Sequence, residues 1–282
     1  ALRASQTRCE GESCLLGLAV GVPGLASSAD GSVLFAPHLG WKDFPLLRRL
    51  RDEFGELAIF VENEANMAAL GEYFFGVAQG YREVLYLSAG SGLGGALIRD
   101  GVLCKGAAGF AGEFGHMTFD LNGPPCGCQN NGCWELYTNR QALFRAIREE
   151  IAAGRRSLLL ELTGGDLDAL SVPLVVRAAA QGDRLTLDAL AQIGRYLGIG
   201  IASLLNALNP DLIVLGGELS LAAEYMLPAL ESELVRRALP WNLQAAEFRR
   251  AEYGTEACAM GGVALIYQHI LSRPGTLKRW NR

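Results

Sequence analysis

Apolar residues in this chain cluster in short runs closed by glycine turns, and between them lie longer stretches with apolar positions at helical spacing. Cys14 to Val22 is a continuous apolar run ending at Pro23-Gly24, which predicts a buried strand and its turn. Ala29-Asp30-Gly31 predicts a hairpin turn, and Asp43 a cap for a helix over Phe44 to Phe54 with Pro45 in its first turn. Leu57 to Val61 reads as a strand running into Glu62-Asn63-Glu64-Ala65-Asn66, which opens a helix through Phe75. Glu83 to Ser88 is another strand. A glycine-rich loop, Gly90 to Gly95, follows it, then a hairpin of Ala96 to Arg99 and Val102 to Lys105 around Asp100-Gly101.

Further along, Asn139 starts a helix to about Ala153, and Asp166 to Leu208 is helical with a break at Gln181-Gly182-Asp183. Asp211 to Leu215 predicts a strand ending in Gly216-Gly217. A helix over Leu221 to Arg237, a strand over Ala246 to Tyr253 and a final helix over Glu256 to Leu271 complete the pattern. Strands alternate with helices, so the class is α/β.

Composition narrows the function. Half of the 282 residues are apolar and 20% are charged, as in globular chains, and the length suffices for two lobes with separate cores. The net charge of −5 argues against this segment itself forming a nucleic-acid surface, because phosphate binding requires a basic face. No apolar run is long and uninterrupted enough to span a bilayer, and no apolar signal segment opens the chain, which favours the cytoplasm.

The chemistry concentrates in one stretch. His116 is followed by Cys126, Cys128 and Cys133 in Cys126-Gly127-Cys128-Gln129-Asn130-Asn131-Gly132-Cys133. Three thiolates and one imidazole make a closed tetrahedral zinc site of the structural kind. The alternatives are a redox pair, which the Cys-x-Cys spacing does not match, and a disulfide framework, for which seven cysteines in 282 residues are too few and odd in number. Cys9, Cys14, Cys104 and Cys258 show no ligand spacing and read as ordinary thiols. Glu113 and Glu135 flank the zinc-type residues and add two carboxylates for a polar small molecule.

Two glycine turns could approach an anion. Gly90, Gly92 and Gly94 lie between apolar strands, where backbone amides can cradle phosphate, although a tight hairpin has the same composition. The lysine and hydroxyl of a P-loop are missing. Gly216-Gly217 is a second strand-to-helix turn, equally suited to close helix–sheet packing. Asn63 and Glu64 stand where a strand becomes a helix. That position suits ligand contacts on an open sheet and equally suits helix capping.

These residues resemble the ROK family of sugar kinases and sugar-responsive repressors from about Leu15 to Leu265. The resemblance is carried by Gly109-Phe110-Ala111-Gly112-Glu113-Phe114-Gly115-His116 with the cysteine loop, by Val20 to Gly24, Val61 to Asn66 and Gly90 to Gly95, and by Asn209-Pro210 to Gly217. It implies a two-lobed actin/hexokinase-like (ribonuclease H-like) fold with a zinc-binding loop. A partial first lobe would cover residues 1–78, a second lobe 79–267, and a helix end and tail 268–282. It further implies zinc on His116, Cys126, Cys128 and Cys133, and a monosaccharide held by Gly24, Asn63, Glu64, Glu113, His116 and Glu135. In kinases of this family, nucleotide as Mg-ATP would lie against Gly90, Gly92, Gly94, Gly216 and Gly217, with the residue at the Glu64 position as base.

Two departures weigh the subclass. Kinases carry aspartate where this chain has Glu64, and one extra methylene can displace a carboxylate by about 1 Å, an error that can cost roughly 100-fold. The phosphate-binding hairpin with which kinases begin does not precede Leu15 in this sequence. Phe35-Ala36-Pro37-His38-Leu39-Gly40-Trp41 resembles a stretch of the xylose-repressor-like members, with His38 replacing their asparagine. The expectation is therefore a sugar-binding effector domain of a regulator, forming a homodimer or homotetramer and reaching DNA through an N-terminal helix-turn-helix outside this chain. The alternative is an ATP-dependent sugar kinase.

Overall fold

A computed structural model describes residues 15–27, 30–36, 39–55 and 57–272. Among the described residues, ten strands form three sheets: β1 (Leu18–Val22), β2 (Leu25–Ala26), β3 (Val33–Ala36), β4 (Trp41–Phe44), β5 (Ile59–Asn63), β6 (Glu83–Ala89), β7 (Leu93–Arg99), β8 (Val102–Leu103), β9 (Leu212–Gly216) and β10 (Glu247–Arg250). β1 and β5 pair in parallel, and β2, β3 and β4 make an antiparallel sheet. The largest sheet runs β10-β9-β6-β7-β8; β6, β9 and β10 are parallel, while β7 and β8 fold back antiparallel.

Strand periodicity explains how the large sheet is covered. Leu85, Leu87, Ile213 and Leu215 face one core, packed with the helices Arg140–Ala152, Val172–Ala180, Arg184–Leu208 and Ala223–Arg237. The alternate residues Val84, Tyr86, Leu212 and Val214 face a second core built with the helix Glu64–Phe75. Residues two apart share a face, so near-continuous apolar strands are what a sheet buried on both sides requires. On one side, Gly194 and Gly198 let the Arg184–Leu208 helix approach its Ala223–Arg237 neighbour: a Cβ on Gly194 would lie 2.3 Å from the Met226 carbonyl oxygen.

Between the β1–β5 sheet and the large sheet, the Glu64–Phe75 helix packs against the Ala257–Ser272 helix, as well as on β1 and β7. The buried Glu72 carboxylate fastens its far end, accepting hydrogen bonds from the Val77, Glu252 and Tyr253 amides.

Several boundaries differ from the sequence pattern for physical reasons. Trp41–Phe44 is a strand paired with β3, so the helix starts later, as Leu46–Phe54. Asp43 does not cap it; that residue lies inside β4 with φ of 49°. Trp41 and Phe44 stack with ring centroids 4.3 Å apart beside the small core of Val22, Ala26, Val33 and Ala36, and this packing prevails over the capping signal. β5 continues through Glu62 to Asn63, and the next helix begins at Glu64 because the Asn63 side chain accepts from the Ala65 and Asn66 amides. The break at Gln181-Gly182-Asp183 is present, with Asp183 capping the Arg184–Leu208 helix. The apolar run from Cys14 becomes a strand only from Leu18, and Cys14 lies outside the described residues.

Candidate functional site

The residue type that shapes the site is glycine in the β6–β7 hairpin. Only Gly90 to Gly92 form its turn; Gly94 and Gly95 are paired strand residues opposite Ser88 and Leu87. Each position from Gly92 to Gly95 meets a different part of the site. A Cβ on Gly92 would lie 2.9 Å from Glu135 Oε2, and one on Gly94 2.9 Å from the Ala65 Cβ. Gly95 meets Phe114 and the Gly112 carbonyl, and the Leu93 carbonyl meets Gly115. Gly94 and Gly95 face opposite sides of this strand, so it takes the start of the Asn63–Glu64 helix on one face and the Glu113–His116 turn on the other, with Glu135 against Gly92 at its end.

Glu113 precedes a single 3-10 turn, Phe114–His116, which delivers the imidazole. His116 Nδ1 faces Cys126 Sγ at 3.7 Å, and Cys128 Sγ lies 3.5 Å from Cys133 Sγ. All four ligand atoms fall within 4.8 Å of one another. Metal–sulfur bonds of about 2.3 Å in a tetrahedron put neighbouring donors about 3.8 Å apart, so the group has the size and donor chemistry to hold one metal ion. Bridges between Thr118 and Cys133 and between Pro125 and Asn131 fold the loop. Gly132, at φ of 63°, presses against the Asp120 carbonyl where no Cβ fits. Trp134 anchors the loop in the core, donating from its indole to the Tyr196 carbonyl at 2.9 Å.

The carboxylates face the imidazole from two sides. His116 Nδ1 is 3.5 Å from Glu135 Oε1, and Nε2 is 3.9 Å from Glu113 Oε2. Burial raises the Glu113 carboxyl above its ordinary range; His116 opposes this and Glu135 adds to it. Burial likewise pushes the Cys126 and Cys133 thiols up. It also acts against the Cys128 thiolate, but hydrogen bonding from the Asn130 amide and the neighbouring thiols outweighs it and holds that thiol low. On the opposite wall, Asn63 Nδ2 donates to the Gly24 carbonyl at 2.9 Å, bringing those two residues together.

A second cleft of about 240 Å³ adjoins Glu64. Gly90 and Gly217 line it, together with Ser88, Ser91, Thr255 and Cys258. Gly92, Gly94 and Gly216 do not line it: the first two pack as described, and Gly216 lies against the Tyr86 hydroxyl. Arg140 and Glu218 also line the cleft and pair at 2.8 Å. Sequence reasoning passed over these two and set Cys258 aside; the one available signal was their position beside glycine turns and helix starts. Tyr86, its hydroxyl buried, also lines the cleft. His38 lies outside the described residues.

A family model described as the ROK family matches residues 4–269. The chain belongs to the ROK family. It is 35% identical over 261 residues to a putative xylose repressor of Caldicellulosiruptor sp. (strain Rt8B.4), covering 92% of this chain and 64% of that one. It is 36% identical over 258 residues to a glucokinase of Halalkalibacterium halodurans, covering 91% of this chain and 78% of that one. Among solved structures, a ROK family glucokinase from Streptomyces griseus in complex with glucose and AMPPNP superposes with a TM-score of 0.82 at 33% identity, covering 92% of this chain and 83% of that one. The α/β fold is thus the hexokinase- and actin-like fold of ROK proteins. The chain spans just under two thirds of the length of the xylose repressor it matches. No helix among the described residues is long and apolar enough to cross a membrane.

Proposed function

We propose that this chain is the monosaccharide-binding part of a ROK-family transcriptional regulator. The observation that supports sugar binding is the approach of two carboxylates to one imidazole, with Glu135 Oε1 3.5 Å from His116 Nδ1 and Glu113 Oε2 3.9 Å from its Nε2. Gly24, Asn63, Glu64, Glu113, His116 and Glu135 then supply amide, imidazole and carboxylate partners. Sugar hydroxyls donate to carboxylates and accept from amides, and the charge-assisted bonds are the stronger ones.

His116, Cys126, Cys128 and Cys133 would hold zinc, which when bound supplies structural rigidity to the loop. His116 would present Nδ1 to the metal and Nε2 toward Glu113 and the sugar, an orientation that ties the loop's integrity to ligand binding. Sugar would favour one arrangement of the lobes over another, and a helix-turn-helix outside this chain would report that shift to DNA through a homodimer or homotetramer. Glu64 in place of the kinase aspartate favours the regulator. Titrating the full-length native protein with D-xylose and D-glucose while measuring operator affinity tests the reading. A sugar that binds and changes DNA affinity supports it, and a panel that leaves DNA affinity unchanged overturns it.

The second reading is an ATP-dependent sugar kinase, favoured by the cleft of Ser88, Gly90, Ser91, Gly217 and Thr255 beside Glu64. Mg-ATP would enter there and Glu64 would take the proton from the sugar hydroxyl. Sugar-dependent ADP release that Glu64→Gln abolishes would establish this reading over the first.

A further inference from the structure

Glu62 is a carboxylate with almost no exposure, and the function derived above gives it no role. One oxygen, Oε1, accepts from the Asn63 amide and from Asn66 Nδ2, each at 3.0 Å. The other oxygen pairs with the Lys105 ammonium. Glu62 lies on β5, in the two-stranded sheet, whereas Lys105 follows β8 at the edge of the five-stranded sheet. The contact therefore joins the two sheets. It also joins both halves of the proposed sugar site. Asn63 is the next residue along β5, and the Lys105 carbonyl accepts from the Ala111 amide, two residues before Glu113.

We infer that Lys105 and Glu62 form a positioning pair that sets Asn63 against Glu113 and so determines monosaccharide affinity. A continuous path runs from Asn63 through Glu62, Lys105 and Ala111 to Glu113, in which every link is a hydrogen bond, an ion pair or one to two peptide units. Such a chain transmits displacement because its members are packed and hydrogen-bonded rather than free. The Lys105 ammonium pairs with Glu62, which is not itself a proposed sugar contact, so Lys105 acts through Glu62. The inference rests on the sugar reading, and the experiment separates the two.

D-Xylose and D-glucose are titrated calorimetrically into the wild-type protein, Asn63→Ala, Lys105→Met, Lys105→Arg and the double variant Glu62→Gln/Lys105→Met, with melting temperature measured for each. Lys105→Met leaves a buried carboxylate without its cation, which by itself can destabilise the fold. The double variant removes both charges and that penalty. The expected result is at least a tenfold weaker Kd for Lys105→Met, recovery to within threefold for Lys105→Arg, and continued weakness in the double variant even where its melting temperature recovers. Full recovery of affinity in the double variant would show that Lys105 only neutralises a buried charge, which overturns the inference. Unchanged affinity in Lys105→Met alongside weakened Asn63→Ala overturns the inference and leaves the sugar reading standing. Wild-type binding that Asn63→Ala does not weaken removes Asn63 from the sugar site and overturns the inference alone, whereas no binding of either sugar overturns both.

Discussion

Gly92 stands directly against the carboxylate of Glu135, where an added Cβ would come within 2.9 Å of Oε2. The neighbour is the far end of a flexible side chain, so Gly92→Ala should displace Glu135 and spare the backbone. The expected outcome is about a tenfold loss of sugar affinity, equivalent to about 1.4 kcal/mol, with a melting temperature close to wild type. Calorimetric titration beside thermal denaturation checks it; a large fall in stability with unaltered affinity would contradict the assignment of Glu135 to the sugar.

Asp183 ties the long core helix to a distant turn. Its carboxylate accepts from the Thr186 hydroxyl and amide, from the Leu158 amide and from the Ser157 hydroxyl. Burial pushes this carboxyl up, but those hydrogen bonds prevail and hold it below the usual aspartate range. A depressed folded value means that the stabilisation is present above the unfolded value of about 3.9 and is lost as pH falls through the folded value. Asp183→Ala should cost about 1–2 kcal/mol at neutral pH, as for other lost caps. The difference between variant and wild type should shrink on acidification below about pH 4. Urea unfolding of both proteins at neutral and acidic pH measures this.

The sequence reveals the parts of this fold whose signal is local. Asp183 after Gln181-Gly182 marks a helix break, the apolar strands β6 and β9 mark a sheet covered on both faces, and the ligand spacing of His116 and three cysteines marks the cluster. What it hides depends on partners far along the chain. Phe44 looks like a helix start because Asp43 can cap and Pro45 suits a first turn, yet pairing with β3 and the Trp41–Phe44 stack make Trp41–Phe44 a strand. Gly92 and Gly94 look like an anion loop because glycine content cannot distinguish amides that face a ligand from a strand stripped of side chains to admit neighbours. The Lys105–Glu62 and Arg140–Glu218 pairs join residues 43 and 78 positions apart, beyond any periodicity.

Removal of metal should loosen the fold as well as the ligand site. A metal would cross-link the Phe114–His116 turn to the cysteine loop, adding to the Trp134 anchor and the Phe119–Tyr137 ring contact. Cys128→Ser, or exhaustive chelation with metal loss verified by elemental analysis, should lower the melting temperature by about 6–12 °C, taking about 3 kcal/mol for a broken structural site at 2–4 °C per kcal/mol in a chain of this size. Sugar affinity should fall in parallel. Unchanged melting after verified metal removal would contradict a structural role.

Cys258 gives a chemical probe of the second cleft. It lies beside Glu64, and burial, reinforced by that carboxylate's charge, pushes its thiol up to about 11. A thiol raised above its unfolded value of about 8.5 contributes stability that is complete below that pH and is lost as pH rises through about 11. The reactive species is the thiolate, so alkylation by iodoacetamide, followed at the Cys258 peptide by mass spectrometry, should be slow at pH 8 and accelerate toward pH 11. Glu64→Gln removes the second cause and should move this profile to lower pH. Any ligand that enters the cleft should protect the thiol, because Cys258 lines the same wall as Ser88 and Gly217. Protection by AMPPNP would direct attention to the kinase reading, whereas protection by sugar alone would place the monosaccharide against Glu64.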